Sequence, residues 1–562
     1  MKPKVLLLQP MSEIQDNFVP LGLAYIAAVF RENNCQVKII DASAPYANYS
    51  MEDIEKEVKE YKPDIVGITL TVIYAKYAYE ILKRLSKNPD FLLMAGGPHA
   101  SILPHEALEY GANIVVRGEG EETCLDILNY LRGKIKLEDI LGISYRNEGG
   151  EFIDNPPRPL IFNLDSLPFP AKDLFKKEDF IRSPADFIRF SYVITGRGCP
   201  GNCAYCSNKL IWGRQVRSRS AKNIISEIEL LIKNYGLGKI QFIDDSFTAD
   251  RKKVDDICEK LPKKFPDLEW NCITRTDLVD FDLLLKMKKA GCSHINFGIE
   301  SGDIETLKKI NKGITPEYSE KVIKWTKESG ITVGVNFMHG FPWETPAQLK
   351  KTRIFIKRIK GLVRDIMPGG IIVPYPGTAF YEEYKDKYGF EKWWLHPHTN
   401  PCTRRENESL RADRRLRLKG PGRRNPIAGI GVGVNPKKLK TAPPLFEKIF
   451  FYYDTLKYDY FNYPKEIVKE IKKTAFIIGR HNLLWYSKQV SSFPPLYYLI
   501  REPLFILVLI SQILYKFSPA LERIIMRPFL IMVTKREAAI RSKIDTNIQM
   551  NTNYTNKFVS LV

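Results

Sequence analysis

Three of the chain's nine cysteines cluster in the stretch Gly196-Arg197-Gly198-Cys199-Pro200-Gly201-Asn202-Cys203-Ala204-Tyr205-Cys206. Their spacing is C-x3-C-x2-C, with glycines packed around it. Thiolates are the soft ligands that iron–sulfur clusters use, and a tight loop can wrap one cubane. A structural zinc site usually wants four ligands, and no fourth Cys or His lies nearby in sequence. A disulfide set wants an even number of cysteines and an oxidising compartment. The loop is therefore read as the holder of a [4Fe–4S] cluster, with Cys199, Cys203 and Cys206 as both its metal ligands and its catalytic centre.

Other polar residues stand at the ends of apolar runs. They are Asp244-Asp245, Arg275, the stretch Asn296-Phe297-Gly298-Ile299-Glu300-Ser301, and the turn Gly96-Gly97-Pro98-His99. Paired glycines let a large ligand approach the backbone, although such a pair is more often only a turn. Glu119 and Glu121, in Arg117-Gly118-Glu119-Gly120-Glu121, read as charges at a helix start.

The elements that must position these residues follow from periodicity. In residues 1–130, strand patterns at 5–9, 37–41, 65–71, 91–95 and 113–116 alternate with helical patterns at 21–31, 51–61, 74–85, 104–110 and 121–131. This alternation implies a parallel, doubly wound sheet that binds ligands at the carboxyl ends of its strands. A proline-rich stretch at 155–185 reads as a linker or wrap. Six further strand patterns follow, at 190–195, 239–243, 268–273, 294–299, 332–337 and 371–373, with helices such as 221–235 and 316–329 between them. Ser220 fits an N-cap, and Gly236 and Gly330 fit helix stops. Six strand–helix repeats imply a partial (β/α)6 barrel with its chemistry at the strand carboxyl ends. The cysteine loop follows the first of these strands.

On these motifs the chain resembles the radical S-adenosylmethionine (SAM) enzymes that carry a cobalamin-binding domain. Residues 189–380 are similar to the superfamily's barrel. There, three cysteines leave one iron free to chelate the amino and carboxylate groups of SAM. The resemblance gives Tyr205 the place of the aromatic residue beside the adenine. It puts Asp245 near the SAM amino end, Arg275 near the carboxylate, and Gly298, Glu300 and Ser301 near the ribose and methionine. Residues 1–130 resemble the cobalamin domain, including Val19-Pro20-Leu21-Gly22-Leu23-Ala24-Tyr25 and the Gly-Gly-Pro-His turn. Thr69, Gly96, Gly97 and His99 are the cobalamin contacts this implies. The Asp-x-His-x-x-Gly motif that supplies a histidine to cobalt is missing, since the matching loop begins Pro10-Met11-Ser12. A flavodoxin-like domain that binds something else remains an alternative.

The fold expected is thus α/β. A Rossmann- or flavodoxin-like cobalamin-binding domain (1–135) is followed by a linker (136–185), a TIM-like radical SAM barrel (186–395), an Arg-rich irregular segment (396–442) and a mostly helical region (443–562). The net charge is +20. Residues 404–424 hold eight Arg and one Lys against three acids, giving +6 locally. The excess suits an anionic surface, or it needs no partner at all. No nucleic-acid partner is expected, because no RNA-binding module is recognisable. Helical patterns recur at 446–457 and 463–475. Residues 503–515 form an uncharged run of thirteen, flanked by Arg501, Glu502 and Lys516. A membrane span needs about twenty. Cations beside apolar stretches suit either a helix in the membrane interface or a core helix. Scattered cysteines behind an N-terminus unlike a secretory leader point to the cytoplasm, with peripheral contact at the inner face of the membrane as a further expectation.

The resemblance implies a [4Fe–4S] cluster, SAM, cobalamin and an external one-electron reductant. The activity expected is radical-initiated, cobalamin-dependent methyl transfer to an unactivated carbon of a hydrophobic or lipid-like substrate. The alternatives are a ring-forming or ring-rearranging enzyme of tetrapyrrole or lipid biosynthesis, and a non-catalytic iron–sulfur scaffold.

Overall fold

The computed structural model describes residues 2–12, 18–181, 184–395 and 463–490. The expected Arg-rich segment, the helical pattern 446–457 and the apolar run 503–515 lie outside the described residues. The chain divides into two compact units. One comprises Met1–Asn336 with Ile372–Pro397, the other Phe337–Ile371 with His398–Val562.

The first unit opens with strands β1 (Lys4–Gln9), β2 (Gln36–Asp41), β3 (Ile65–Thr69), β4 (Leu92–Gly96) and β5 (Ile114–Val116). They are parallel, in the order β2-β1-β3-β4-β5. Leu6, Leu7 and Leu8 are all at most 1% exposed although successive side chains point to opposite faces. Both faces are therefore covered, as a parallel sheet with helices on each side requires. The helices are Leu21–Glu32, Met51–Tyr61, Ala75–Leu85, Pro98–Ile102, Pro104–Glu109 and Glu121–Leu131. The fourth of these had no counterpart in the periodicity. It is a single turn begun by Pro98 directly after Gly97.

Beyond β5 the structure adds what the sequence reading placed in a linker. Strands β6 (Ile143–Arg146) and β7 (Phe152–Asp154) form a hairpin that extends the sheet antiparallel to β5. Strands this short carry too few residues for a period to register. Residues 155–190 then carry only 3-10 turns. Lys172, in this wrap, is 3% exposed and donates to the carbonyls of Phe190 (3.2 Å) and Tyr192 (2.5 Å).

The second sheet contains β8 (Tyr192–Val193), β11 (Lys239–Phe242), β12 (Glu269–Thr274), β13 (Cys292–Glu300), β14 (Thr332–His339) and β15 (Asp365–Ile371), in chain order. It is the partial (β/α) barrel. Between β8 and β11 lies a separate ribbon of β9 (Gly196–Arg197) and β10 (Arg217–Ser218). Helices Ala221–Tyr235, Arg251–Lys264, Phe281–Lys289 and Pro316–Glu328 separate the barrel strands. Ser220 caps the first by accepting from Asn223 N, and Gly236 ends it with φ +63°. The sixth strand lies at 365–371, not at 371–373. Pro368-Gly369-Gly370 inside it carries the residues that normally argue against a strand.

Strand faces divide cleanly. Val193, Ile240, Phe242, Trp270, Cys272, Ile295 and Phe297 are buried on one face. On the other face Tyr192, Gln241, Asn271 and His294 stand in register, and Asn296 follows His294 on the same face of β13. Of these, all but His294 are partly exposed. A closed TIM barrel fills its interior with branched apolar side chains. This inner face instead mixes amides and a phenol with Ile273, which is 40% exposed and in register with Asn296.

The second unit contains helix Pro346–Ile359 and helix Lys465–Val490. Leu349 packs against Ile467 and Ile471, with Tyr463 beside them. Arg353 pairs with Glu470 at 2.8 Å. The helical expectation at 463–475 is met and exceeded in length. Among the described residues, no helix is long and apolar enough to cross a membrane.

Candidate active site

The cysteine loop is closed at its base by the β9–β10 ribbon, in which Gly196 faces Ser218 and Arg197 faces Arg217. Gly198 has φ +92°, and a Cβ there would run into the carbonyl oxygen of Gln215. Only glycine gives both the turn and the close approach. Two backbone bonds tie down the loop's centre, from Ala204 N to Ile310 O (2.9 Å) and from Phe380 N to Ala204 O (3.1 Å). Cys203 is buried, while Cys199 and Cys206 are partly exposed.

The electrostatics fit a cluster. Burial raises the Cys199 thiol, against the Gly201 amide and Arg275. Burial also pushes Cys206 up to about 11, and the neighbouring cysteines and Asp245 add to it. Thiols in this setting ionise when a cation shares the loop, as cluster iron does. Among the described residues, no three ligands converge on a point that one metal ion would occupy.

The strand ends place the other expected residues around this loop. Asp245 follows β11. Its Oδ1 accepts from Asn208 Nδ2 at 2.5 Å. Burial and the adjacent Asp244 raise it to about 6, with the Gly198 amide and Asn208 opposing. Asp244 has a different task. It accepts from Thr195 N (2.6 Å) and Lys253 Nζ (2.9 Å), which locks β11 to β8.

Arg275, after β12, reaches the loop itself, with Nη1 3.6 Å from Cys203 Sγ. Asp277 holds it through two bonds of 2.9 and 2.8 Å, and Lys312 O accepts from it at 2.6 Å. Glu300, at the end of β13, has φ +70° and pairs with Lys312 Nζ at 2.8 Å. Tyr205 hydrogen-bonds the same carboxylate, and burial followed by Glu300 raises its phenol well above the usual range. Gly298 makes room for this group: a Cβ there would lie 2.6 Å from Glu300 Oε1 and 3.1 Å from Lys312 Nζ. Ser301 is buried, and its Oγ accepts from Asp303 N at 3.1 Å, where Asp303 caps the helix Ile304–Lys309. Its visible role is that of a turn residue. Lys312, Asn208 and Asp277 were not singled out from the sequence. Lys312 lies twelve residues past Glu300, in a turn with no motif of its own.

At the cobalamin-domain edge, Thr69, Gly96 and Gly97 are partly exposed at the carboxyl ends of β3 and β4. Gly97 has φ +102°, and a Cβ there would meet Leu70 O at 2.8 Å. Leu70 N donates to Gly96 O at 2.7 Å, so the two loops interlock into one edge. Ile73, on the same loop, is 44% exposed, which leaves apolar surface beside these glycines. A flat, partly apolar corrin ring fits such an edge. His99 is placed otherwise than expected. It is 2% exposed, with Nε2 3.2 Å from Glu106 Oε2. Tyr79 (2.6 Å) and Trp394 (3.0 Å) donate to the same oxygen. Burial works against the Glu106 carboxylate, and these donors still hold it below its usual range. His99 thus anchors the loop from within.

Comparison with known proteins identifies the two domains. Residues 193–356 match the model of the Radical SAM superfamily, and residues 11–128 match the B12 binding domain. An uncharacterized methyltransferase of Pyrococcus horikoshii is 38% identical over 388 residues, covering 67% of this chain and 82% of that protein. The anaerobic magnesium-protoporphyrin IX monomethyl ester cyclase of Rubrivivax gelatinosus is 30% identical, covering 68% of this chain and 70% of that one. Among solved structures, the cobalamin-dependent SAM radical enzyme OxsB with aqua-cobalamin bound superposes with TM-score 0.60 at 20% identity, over 99% of this chain and 81% of that one. The radical SAM methyltransferase TsrM from Kitasatospora setae gives 0.57 at 19% identity, over 69% and 76%. The protein is an enzyme whose cofactors are a [4Fe–4S] cluster, SAM and cobalamin, and the chain belongs to the cobalamin-binding radical SAM enzymes.

Proposed function

We propose that the enzyme transfers a methyl group to an unactivated carbon of an organic substrate held against the inner face of the barrel. The observation that carries this reading is that face. Tyr192, Gln241 and Asn271 stand on it in register, and Asn296 shares the face two residues further along β13, beside Ile273; all are at least partly exposed. When bound, the cluster with SAM supplies a one-electron cleavage that yields a 5′-deoxyadenosyl radical, and cobalamin supplies the methyl group. The chain's own residues do the rest. Cys199, Cys203 and Cys206 hold the cluster. The Tyr205–Glu300–Lys312 group and Asp245 orient SAM, with Gly298 leaving room for them. Arg275, held by Asp277, sets a cation beside Cys203 at the cluster loop. Thr69, Gly96 and Gly97 offer an edge to the corrin. Proximity and exclusion of water are the protein's share of the catalysis.

A hydrophobic or lipid-like acceptor is the finer form of this reading. Its support is the run 503–515 between cationic flanks. The amides of the inner face add a requirement: such an acceptor also carries groups that hydrogen-bond. Ring formation is the second reading, favoured by the 30% identity to a cyclase.

Anaerobic reconstitution tests the proposal. Absorbance from both a cluster and a corrinoid is expected. Turnover with SAM and reductant should give 5′-deoxyadenosine together with S-adenosylhomocysteine, because methyl transfer consumes a second SAM. Formation of 5′-deoxyadenosine alone, with corrinoid loaded, would transfer support to ring formation. Cys203→Ala should abolish 5′-deoxyadenosine, and iron per chain should fall with it.

A further inference from the structure

The two arginines at the base of the cysteine loop stand directly opposite each other in the β9–β10 ribbon. Opposed residues of an antiparallel pair project to the same face. Both guanidinium groups are buried, with side chains 5% and 2% exposed. Two like charges so placed repel each other and lose their water, so the fold must answer them with carboxylates.

It does so from the carboxyl end of β5 in the other sheet. Glu119, in the loop after β5, accepts from Arg197 Nη1 at 2.6 Å and from Arg217 Nη1 at 2.9 and 2.7 Å through its two oxygens. Ile161 N donates to it as well, at 2.7 Å. Glu121 takes the remaining Nη2 of Arg197. The four side chains sum to zero charge, and none is more than 6% exposed. The Arg197 guanidinium also lies 4.9 Å from the Trp212 ring of the cysteine loop and 5.4 Å from the Tyr25 ring of helix Leu21–Glu32.

Buried ion networks are a weak source of stability, since apolar side chains of the same volume serve as well or better. What they impose is geometry, because charge-assisted bonds to guanidinium are short and directional. The place of this one gives that geometry a use. Arg197 is two residues before Cys199, and Glu119 lies at the carboxyl end of a strand, the edge where open α/β sheets hold ligands.

We propose that Glu119 is a positioning residue. From the cobalamin-binding sheet it clamps both legs of the cysteine loop through Arg197 and Arg217, and so fixes that loop relative to the corrin edge. The proposal rests on the cofactor assignment made above.

The test uses the full chain with Glu119→Gln, Arg197→Lys and the charge-balanced double variant Glu119→Gln/Arg217→Gln. Before cofactor loading, amide hydrogen exchange across 196–218 should speed up about tenfold or more in Glu119→Gln, while 269–274 and 65–69 stay protected. After loading, pulsed EPR between cob(II)alamin and the reduced cluster should give one narrow distance in the parent and a broadened one in the variants. Iron and corrinoid per chain should stay within about twofold of the parent. If Glu119→Gln does not fold, the double variant and Arg197→Lys carry the same expectations. Exchange that rises uniformly over the chain, or an unchanged distance in variants that load both cofactors, would overturn the proposal. A parent that takes up no corrinoid would instead overturn the cofactor assignment, while the exchange result would still judge the clamp.

Discussion

Gly298 leaves empty the volume in which Glu300 and Lys312 meet, and it does so without a left-handed backbone. Gly298→Ala therefore tests the site without straining the strand. The added methyl should push the Glu300 carboxylate off Lys312. The affinity for SAM is expected to fall about tenfold, equivalent to about 1.4 kcal/mol, with little change in melting temperature. Equilibrium binding of SAM to the cluster-loaded variant checks this, and unchanged affinity would remove the Glu300–Lys312 pair from the SAM site. Much at this scale was readable beforehand. The cysteines declare themselves by type and spacing, and Asp245, Arg275 and Glu300 by their places after strands. Lys312 and Asn208 were not readable, because each meets its partner across a loop whose path no local pattern records. His99 was legible as a special residue but not in its direction. Whether a ring turns to the edge or to the interior is settled by Glu106, Tyr79 and Trp394, the last of them almost 300 residues away.

Elements decide how these residues are held. The cysteine loop is a ribbon-closed excursion between β8 and helix Ala221–Tyr235, and Gly198 is its tightest point. Gly198→Ala combines a left-handed φ with a backbone clash. It should cost about 2–4 kcal/mol and lower iron per chain more than it lowers helix content by circular dichroism. Strand β14 supplies a second test. His339 is buried at its end, 4% exposed, and neither ring nitrogen has a hydrogen-bond partner among the described residues. Burial lowers it from 6.5 to about 4. The unfolded chain therefore binds a proton between these pH values that the folded chain refuses. Stability from this group is complete above pH 6.5 and is lost as pH falls towards 4, at about 1.4 kcal/mol per pH unit. His339→Phe should flatten that part of the stability–pH curve in urea unfolding. An unchanged slope would show that His339 does not titrate there. Most element boundaries were read from periodicity to within a residue or two; the exceptions are helix Lys465–Val490, which runs well past the expected 475, and strands that are short or carry glycine and proline. The β6–β7 hairpin and β15 are those strands.

The largest scale concerns how distant parts of the chain complete one another. Within the second unit, helix Lys465–Val490 covers Leu349 with Ile467 and Ile471, the latter 1% exposed. Ile471→Ala should cost about 2–4 kcal/mol and lower the thermal midpoint of the whole chain. A separate, earlier melting transition confined to this helix would show that it does not share the fold's cooperativity. The lipid-like acceptor is judged here too. Flotation with anionic vesicles should retain the full chain and release a form ending at residue 490. Release of both forms would remove the membrane argument and leave the amide-lined face as the guide to the substrate.

The cofactor class and the class of architecture were legible in the sequence alone. Thiolate spacing is a local property, and strand–helix alternation repeats often enough to be read without knowing what packs on what. Which charges meet was settled by the folded chain. Glu119 looked like an ordinary helix-start acid. It proved to be the counter-ion of two arginines some 80 and 100 residues further on, brought to it by the ribbon that closes the cysteine loop. A carboxylate's partner is chosen by the desolvation of burial, which acts through space and leaves no period along the chain.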